Sequence, residues 1–223
     1  MGSSARLGLT ALLSLFSVTA CNAKAESTVA LPEPTVDTRK ASTSGKQTAV
    51  FSGGCFWGIQ AVFQHVKGVI SATSGYSGGS AQNADYEAVS TGQTGHAESV
   101  EVVYDASQIT YGELLRVFFS VAHDPTQLNR QGPDEGTQYR SAIFYKGDEQ
   151  RHIAESYIQQ LDSGKIFRRK IVTQVAPLQA FYPAEAYHQN YAALHPNQPY
   201  IVFNDAPKVE HLKQQFPDLY TGK

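Results

Sequence analysis

Cys55 is the residue of this sequence best placed to do chemistry. It stands in Gly53-Gly54-Cys55-Phe56-Trp57-Gly58, where the apolar run Thr48-Ala49-Val50-Phe51 gives way to a helical pattern. A thiol at a helix start is ready to ionise, because the free N–H groups and the helix dipole favour the thiolate, and the thiolate is the nucleophile. Gly53 and Gly54 let the backbone turn tightly and leave the sulfur accessible. Phe56 and Trp57 supply an apolar wall beside it. The alternative is a cysteine packed into an aromatic core, a common place for a free thiol. The paired glycines and large aromatics favour a nucleophile. The chain has two cysteines. The other, Cys21, closes a signal-like N-terminus, so the folded part carries one thiol, with no second one there for a disulfide or a metal cluster.

Other polar residues have plain readings by position alone. Glu98 reads as a solvated charge on a strand, and Tyr86 and Tyr139 as core residues with satisfied hydroxyls. Asp134 also reads as a loop cap, and His96 as a structural partner beside the acid. His96-Ala97-Glu98 matches the H-x-E of zinc deaminases, but that chemistry needs further cysteine ligands at P-C-x-x-C spacing, and this chain has none. No metal site is expected. No Gly-rich phosphate loop follows a strand, so no nucleotide cofactor is implied.

These residues must be positioned by strands and helices that the pattern outlines. Thr48 to Phe51 reads as a buried strand, and Cys55 to Val66 as a helix with Ile59, Val62, Phe63 and Val66 at helical spacing, ending at Gly68. Val69 to Tyr76 reads as a strand before a turn at Gly78-Gly79, and Ala97 to Tyr104 as an alternating strand. Thr110 is an N-cap for the helix Tyr111 to Ala122, with Glu113 completing a capping box. His123 to Thr137 is a polar, turn-rich loop of the kind that often holds function. Tyr139 to Tyr145 is a strand, Asp148 to Leu161 a helix stopped at Ser163-Gly164, Ile171 to Leu178 a strand, and Glu185 to Leu194 a short helix. A further turn or two is expected over Val209 to Phe216. Strands and helices mix without a regular βαβ repeat, which predicts an α+β domain with a mixed, mostly antiparallel sheet and packed helices.

Composition bounds the rest. A chain of 223 residues, 41% of them hydrophobic, can bury one sizeable core, and a formal charge of −2 gives no general pull toward nucleic acid. Residues 1–20 read as an export signal, with Arg6 as the positive region and an apolar stretch from Leu7 to Val18, too short to span a bilayer comfortably. Val18-Thr19-Ala20-Cys21 resembles a bacterial lipobox, which implies lipid attachment at Cys21 and an anchor on an extracytoplasmic or periplasmic membrane face. An ordinary signal cleaved after Ala20 or Ala23 is the alternative. Met1 is the only methionine, so export would leave the mature chain without one. Residues 21–47 read as the lipid-attachment cysteine and a disordered tether, rich in Ala, Ser, Thr, Pro and Lys. Residues 48–223 form the expected domain.

Within that domain, Gly54-Cys55-Phe56-Trp57-Gly58 resembles the signature of the A-type peptide methionine sulfoxide reductases. Gly75-Tyr76-Ser77-Gly78-Gly79, Tyr86-Glu87-Ala88-Val89, Thr94-Gly95-His96-Ala97-Glu98, the run RQGPDEGTQYRS from Arg130 to Ser141, and His188-Gln189-Asn190-Tyr191 agree in order and spacing. The resemblance covers about Thr48 to Tyr220. It implies that family's ferredoxin-like α+β fold and the reduction of methionine S-sulfoxide, free or in proteins, by attack of Cys55 on the sulfoxide sulfur, leaving a sulfenic acid. Glu98 is then the acid, Tyr86 and Tyr139 hydrogen-bond the oxygen, Phe56 and Trp57 hold the S-methyl group, and Asp134 orients the substrate main chain. Arg140 and His188 would stand behind these. No bound cofactor is implied.

Many relatives carry further cysteines near the C-terminus that resolve the sulfenic acid, but Tyr182 to Lys223 has none. An internal disulfide is open only to an unmodified Cys21 that can reach, so an external thiol is expected: thioredoxin-like, glutaredoxin-like or a small molecule. The partners expected are oxidised proteins or peptides, a thiol-reducing protein, and a membrane through the lipid anchor. Two other readings stay open: a Cys–His hydrolase or acyltransferase built on Cys55 and His96, and a non-enzymatic lipoprotein that binds oxidised methionine.

Overall fold

The structure is a computed structural model that describes residues 1–2 and 30–222. Most of the expected signal segment, Cys21 and the first part of the tether lie outside the described residues. No helix among the described residues is long and apolar enough to cross a membrane.

Six strands form one sheet. Strands β1 (Lys46–Ser52), β2 (Val69–Ser77) and β3 (Ala97–Asp105) make its centre, with β6 (Ala142–Tyr145), β7 (Gln174–Pro177) and β8 (Phe181–Pro183) outside them. The order is β7-β6-β1-β3-β2-β8. Every pairing is antiparallel except β6 with β7, so the sheet is mixed and mostly antiparallel as expected. A two-residue ribbon, β4 (Arg130–Gln131) with β5 (Asp134–Glu135), punctuates the long loop.

Helices cover one face of the sheet. These are α1 (Phe56–Gln64), α3 (Tyr111–Val117), α4 (Asp148–Ser163) and α6 (Ala206–Gln215); α2 (Tyr86–Ser90) and α5 (Tyr191–Leu194) are short. Strand alternation sends Ala49 and Phe51 of β1 into the helical side, while Val50 packs on the opposite face with Ala97, Ala142 and Phe144. Phe51 is the hub: its ring stacks on Phe118 at 4.9 Å and Phe63 at 5.3 Å. Burying such a ring contributes roughly 2–3 kcal/mol. The capping box forms as expected. Thr110 Oγ1 accepts the Glu113 N–H at 3.1 Å, and Glu113 Oε2 accepts the Thr110 N–H at 2.8 Å.

Some elements depart from the sequence pattern. The predicted helix 111–122 changes at Phe118 into a π-helical turn, Phe118–Ala122. The strands expected from Tyr139 and Ile171 start later, at Ala142 and Gln174. The helix expected over 185–194 splits into a 3₁₀ turn, Ala186–His188, and α5, because Asn190 between them holds a left-handed φ of 58°. Before α6 lies a second π-helical turn, Ile201–Asp205.

The largest correction concerns the tether. Residues 30–45 lie docked on the domain, and β1 starts at Lys46, before the expected boundary at Thr48. Arg116 Nε donates to the Leu31 carbonyl at 2.6 Å, Tyr157 donates to the Pro32 carbonyl at 2.8 Å, and Gln160 bonds both Glu33 and Thr35. Asp37 accepts the Gly112 N–H at 2.8 Å and the Thr110 hydroxyl, so it caps α3 a second time. Composition without a hydrophobic period argued for disorder, but this segment is held by polar bonds from α3 and α4 to its backbone and to Asp37, and by Ala30, Leu31 and Val36 packed against the core.

Candidate active site

Cys55 sits where β1 meets α1. The chain leaves Ser52, turns through Gly53-Gly54, and enters α1 with Cys55 as the N-cap. Gly54 holds φ at +96°, and a Cβ there would lie 2.6 Å from Gln131, so the turn needs a residue without a side chain. Cys55 is free and 8% exposed.

Its electrostatics differ from the simple helix-start expectation. The Trp57 N–H favours the thiolate, and so does Lys208. Burial, followed by the carboxyl groups of Glu98 and Asp205, outweighs them and holds the thiol well above its ordinary range. A start of helix buried among acids therefore keeps a thiol, whereas an exposed one would release a proton.

Glu98 lies on β3, directly opposite Tyr76 of β2 in the ladder. It is 3% exposed, and its Oε2 accepts the Phe56 N–H at 3.0 Å. Burial pushes its carboxyl up to about 8. The Phe56 bond works against that shift and loses, and Asp134 and Asp205 reinforce it. Such a carboxyl is mostly protonated near neutrality, as a general acid must be. The alternative of a solvated surface charge is excluded by this burial.

Trp57 forms one wall of an aromatic box. Its ring stacks on Tyr191 at 3.8 Å and 12°, meets Tyr200 edge-on at 6.0 Å, and its Nε1 donates to His188 Nδ1 at 3.3 Å. The buried Phe56 ring packs on His188 at 5.1 Å and Tyr76 at 5.9 Å. Tyr86 is half-buried and closes the box against His188 at 4.4 Å. Its backbone is anchored by Glu185, which accepts both the Tyr86 N–H and the Tyr76 hydroxyl at 2.9 Å. Burial and the nearby Glu98 raise the hydroxyls of Tyr86 and Tyr139, and each also feels Cys55, so both are neutral donors beside the sulfur. Asp134 accepts the Tyr200 hydroxyl.

All seven domain residues named from the sequence thus gather around one centre: Cys55, Phe56, Trp57, Tyr86, Glu98, Asp134 and Tyr139. Cys21 lies outside the described residues. Tyr191, Tyr200, Asp205 and Lys208 were not singled out. Tyr191 lay in a quoted motif, but the other three sit in the irregular tail, where neither period nor spacing marks a role.

His96 stands elsewhere. Its Nδ1 accepts the Gly79 N–H at 3.2 Å and its Nε2 faces the Ser80 carbonyl at 2.9 Å, so both ring nitrogens are occupied in holding that turn. Arg140 likewise ties loops together, donating to the carbonyls of Gly95, His96 and Thr137. Among the described residues no group of three or more His, Cys, Asp or Glu is gathered as a metal ion would need.

The chemistry available is therefore attack by a single buried sulfur, with a neutral acid and two phenol donors aimed at the same place and an aromatic box for a small apolar group. Comparison with known proteins agrees. The family model described as peptide methionine sulfoxide reductase matches residues 47–220. Peptide methionine sulfoxide reductase MsrA 2 of Mesorhizobium japonicum is 62% identical over 179 residues, covering 80% of this chain and 92% of that one. MsrA 2 of Synechocystis is 51% identical over 190 residues, covering 84% and 89%. Among solved structures, methionine sulfoxide reductase A of Corynebacterium diphtheriae superposes with a TM-score of 0.59 at 36% identity, covering 76% of this chain and 84% of that one. Reduced Mxr1 of Saccharomyces cerevisiae gives 0.62 at 30% identity, covering 74% and 92%.

Proposed function

Because this chain belongs to the peptide methionine sulfoxide reductase family, we propose that Cys55 is the nucleophile with which it returns methionine sulfoxide to methionine. It is a thiol-dependent oxidoreductase. The sulfur of Cys55 attacks the sulfoxide sulfur while Glu98 gives its proton to the sulfoxide oxygen and takes up the proton that the thiol releases. The substrate's sulfur–oxygen bond and the new sulfur–sulfur bond then break as the oxygen bonds to the Cys55 sulfur, so that methionine leaves as the thioether and Cys55 is left as a sulfenic acid. Methionine sulfur gains two electrons and cysteine sulfur loses them.

The observation that carries these roles is Glu98: a buried carboxyl, neutral near pH 7, fastened to the backbone next to Cys55. Tyr86 and Tyr139 stabilise the oxygen as negative charge develops on it. The box of Phe56, Trp57 and Tyr191 takes the S-methyl group, and with the oxygen held on one side it selects the S epimer. The engagement of both His96 nitrogens counts against a Cys–His hydrolase, which would need one of them as a base.

The tail offers no resolving cysteine. The sulfenic acid is therefore attacked by an external thiol, which forms a mixed disulfide and releases water, and a second thiol frees Cys55. Export and lipidation at Cys21 are supported by the sequence pattern of residues 1–21, and they would set the enzyme to repairing oxidised proteins outside the cytoplasm.

Single turnover tests the reading. Protein mixed with excess methionine sulfoxide and no reductant is expected to yield one methionine per enzyme and a dimedone adduct on Cys55. Methionine formation without a trappable Cys55 sulfenic acid would refute the assigned step.

A further inference from the structure

Gly58, the last residue of the cysteine motif, has ordinary helical backbone, so conformational freedom does not explain it. What lies against it does. A Cβ at Gly58 would stand 2.1 Å from Asp205 Oδ1 and 2.6 Å from Lys208 Nζ. The two side chains form an ion pair at 3.1 Å, seated on the first turn of α1. Asp205 is fully buried, and its other oxygen, Oδ2, has no hydrogen-bond partner among the described residues. An orphaned carboxylate oxygen in a protein interior is costly and calls for a reason. Lys208 reaches the pair from the wall of a cavity of about 750 Å³ that also exposes His123 and Gln131.

We propose that Asp205 and Lys208 are positioning residues for Cys55, seated on Gly58, with the Asp205 carboxylate opposing ionisation of the thiol and Lys208 limiting that opposition. The pair lies against the first turn of α1, the electropositive end of a helix that by itself favours a thiolate. Asp205 spends a negative charge there and holds the sulfur back. The groups that face Cys55 come from several elements. Glu98 comes from β3, Asp205 from the π-helical turn and Lys208 from α6; either carboxyl, where ionised, opposes the thiolate and Lys208 favours it, while burial raises both carboxyls and Lys208 works against that rise at Asp205. Tyr86, Tyr139 and Tyr200 face it as hydroxyls, and Tyr200 also bonds Asp134. Asp205 and Lys208 are the members seated against Gly58 of α1, and neither belongs to the aromatic box.

The inference rests on Cys55 as nucleophile, but its test needs no turnover. The pH dependence of Cys55 alkylation by iodoacetamide, read by mass, would be compared in wild type, Asp205→Asn and the double variant Asp205→Asn/Lys208→Gln. Asp205→Asn is expected to move the midpoint to lower pH and to speed alkylation near neutrality by about tenfold, the effect of about one unit. The double variant leaves no unpaired buried charge, and it is expected to shift the midpoint the same way by less. If the single variant does not fold, the double variant decides. A purely structural role would change the limiting rate at high pH and leave the midpoint in place. An unmoved or raised midpoint in a folded variant overturns the proposal. A shifted midpoint in an enzyme that leaves sulfoxide untouched would instead overturn the reductase assignment alone.

Discussion

The carboxyl group of Glu98 accepts the backbone N–H of Phe56 at 3.0 Å, one residue along the chain from Cys55. That bond joins the central strand β3 to the start of α1, so Glu98 and Cys55 are registered through two elements of the core. The same bond favours the ionised carboxylate, yet burial wins and the group stays neutral to about pH 8. Glu98 is thus held in place by a contact that works against its protonation.

Glu98→Gln keeps the size and the acceptor for Phe56 but has no proton to give. Its kcat is expected to fall by about 10²–10⁴-fold, the usual worth of a general acid. Because the carboxyl pKa is raised and the protonated form is the active one, wild-type kcat declines as pH rises through about 8. The Gln variant is expected to lack that decline. A decline that persists unchanged in Glu98→Gln would remove Glu98 from the role.

Trp57 carries three contacts at once, stacking on Tyr191, meeting Tyr200 at its edge and bonding His188. Trp57→Ala opens the box that takes the methyl group. A small apolar pocket is worth roughly 10–200-fold in kcat/KM, and a loss of that size is expected on blocked methionine sulfoxide. Tyr191→Phe, which keeps the stack, is expected to lose little. Equal losses in the two variants would mean that the tyrosine hydroxyl matters as much as the apolar wall.

The site and the central fold were legible where the signals were local. Cys55 stands at an abrupt change from strand to helix pattern, and Thr110 and Glu113 form a capping box within four residues of sequence, so both could be read directly. Glu98 was legible as an acid only through the motif around it, since a residue on a strand does not announce its burial by β3 lying between two neighbours. Tyr200, Asp205 and Lys208 come from a Pro-rich tail whose π-helical turn has no sequence period, and long-range packing alone brings them to Cys55. The docked segment 30–45 was hidden for a different reason. Its order depends on partners more than seventy residues away, such as Thr110, Arg116 and Tyr157.

That docking has a measurable worth. Asp37 supplies α3 with a second N-terminal cap at Gly112 and takes the Thr110 hydroxyl. Asp37→Ala is expected to destabilise the fold by about 1–2 kcal/mol, the range for a lost cap, and to leave kcat/KM unchanged because the residue is remote from Cys55. Urea unfolding against wild type measures it. An unchanged urea midpoint would mean that residues 30–45 are attached without contributing to stability.

His123 sets an acid limit on stability. It is stacked on Phe118 at 4.1 Å, with Nδ1 at 3.1 Å from the Phe118 carbonyl and Nε2 at 2.7 Å from the Ser141 hydroxyl. Burial holds it neutral and lowers it from 6.5 to about 4. The unfolded chain therefore binds the proton first, and stability is expected to fall as pH drops from 6.5 toward 4, by at most about 3 kcal/mol. Glu98 contributes in the opposite direction from 4.5 to about 8, overlapping this window, so the informative curve is wild type minus His123→Gln. A flat difference across that window would contradict a neutral, buried His123.

The most direct test of the central claim is turnover of the separate S and R epimers of a blocked methionine sulfoxide. It would use a soluble form lacking residues 1–21, which removes Cys21, with dithiothreitol as reductant and Cys55→Ser alongside. Multiple turnover of the S epimer alone, abolished in Cys55→Ser, is the predicted result. No turnover of either epimer by the folded wild-type protein, or turnover that survives Cys55→Ser, would contradict a reductase built on this cysteine.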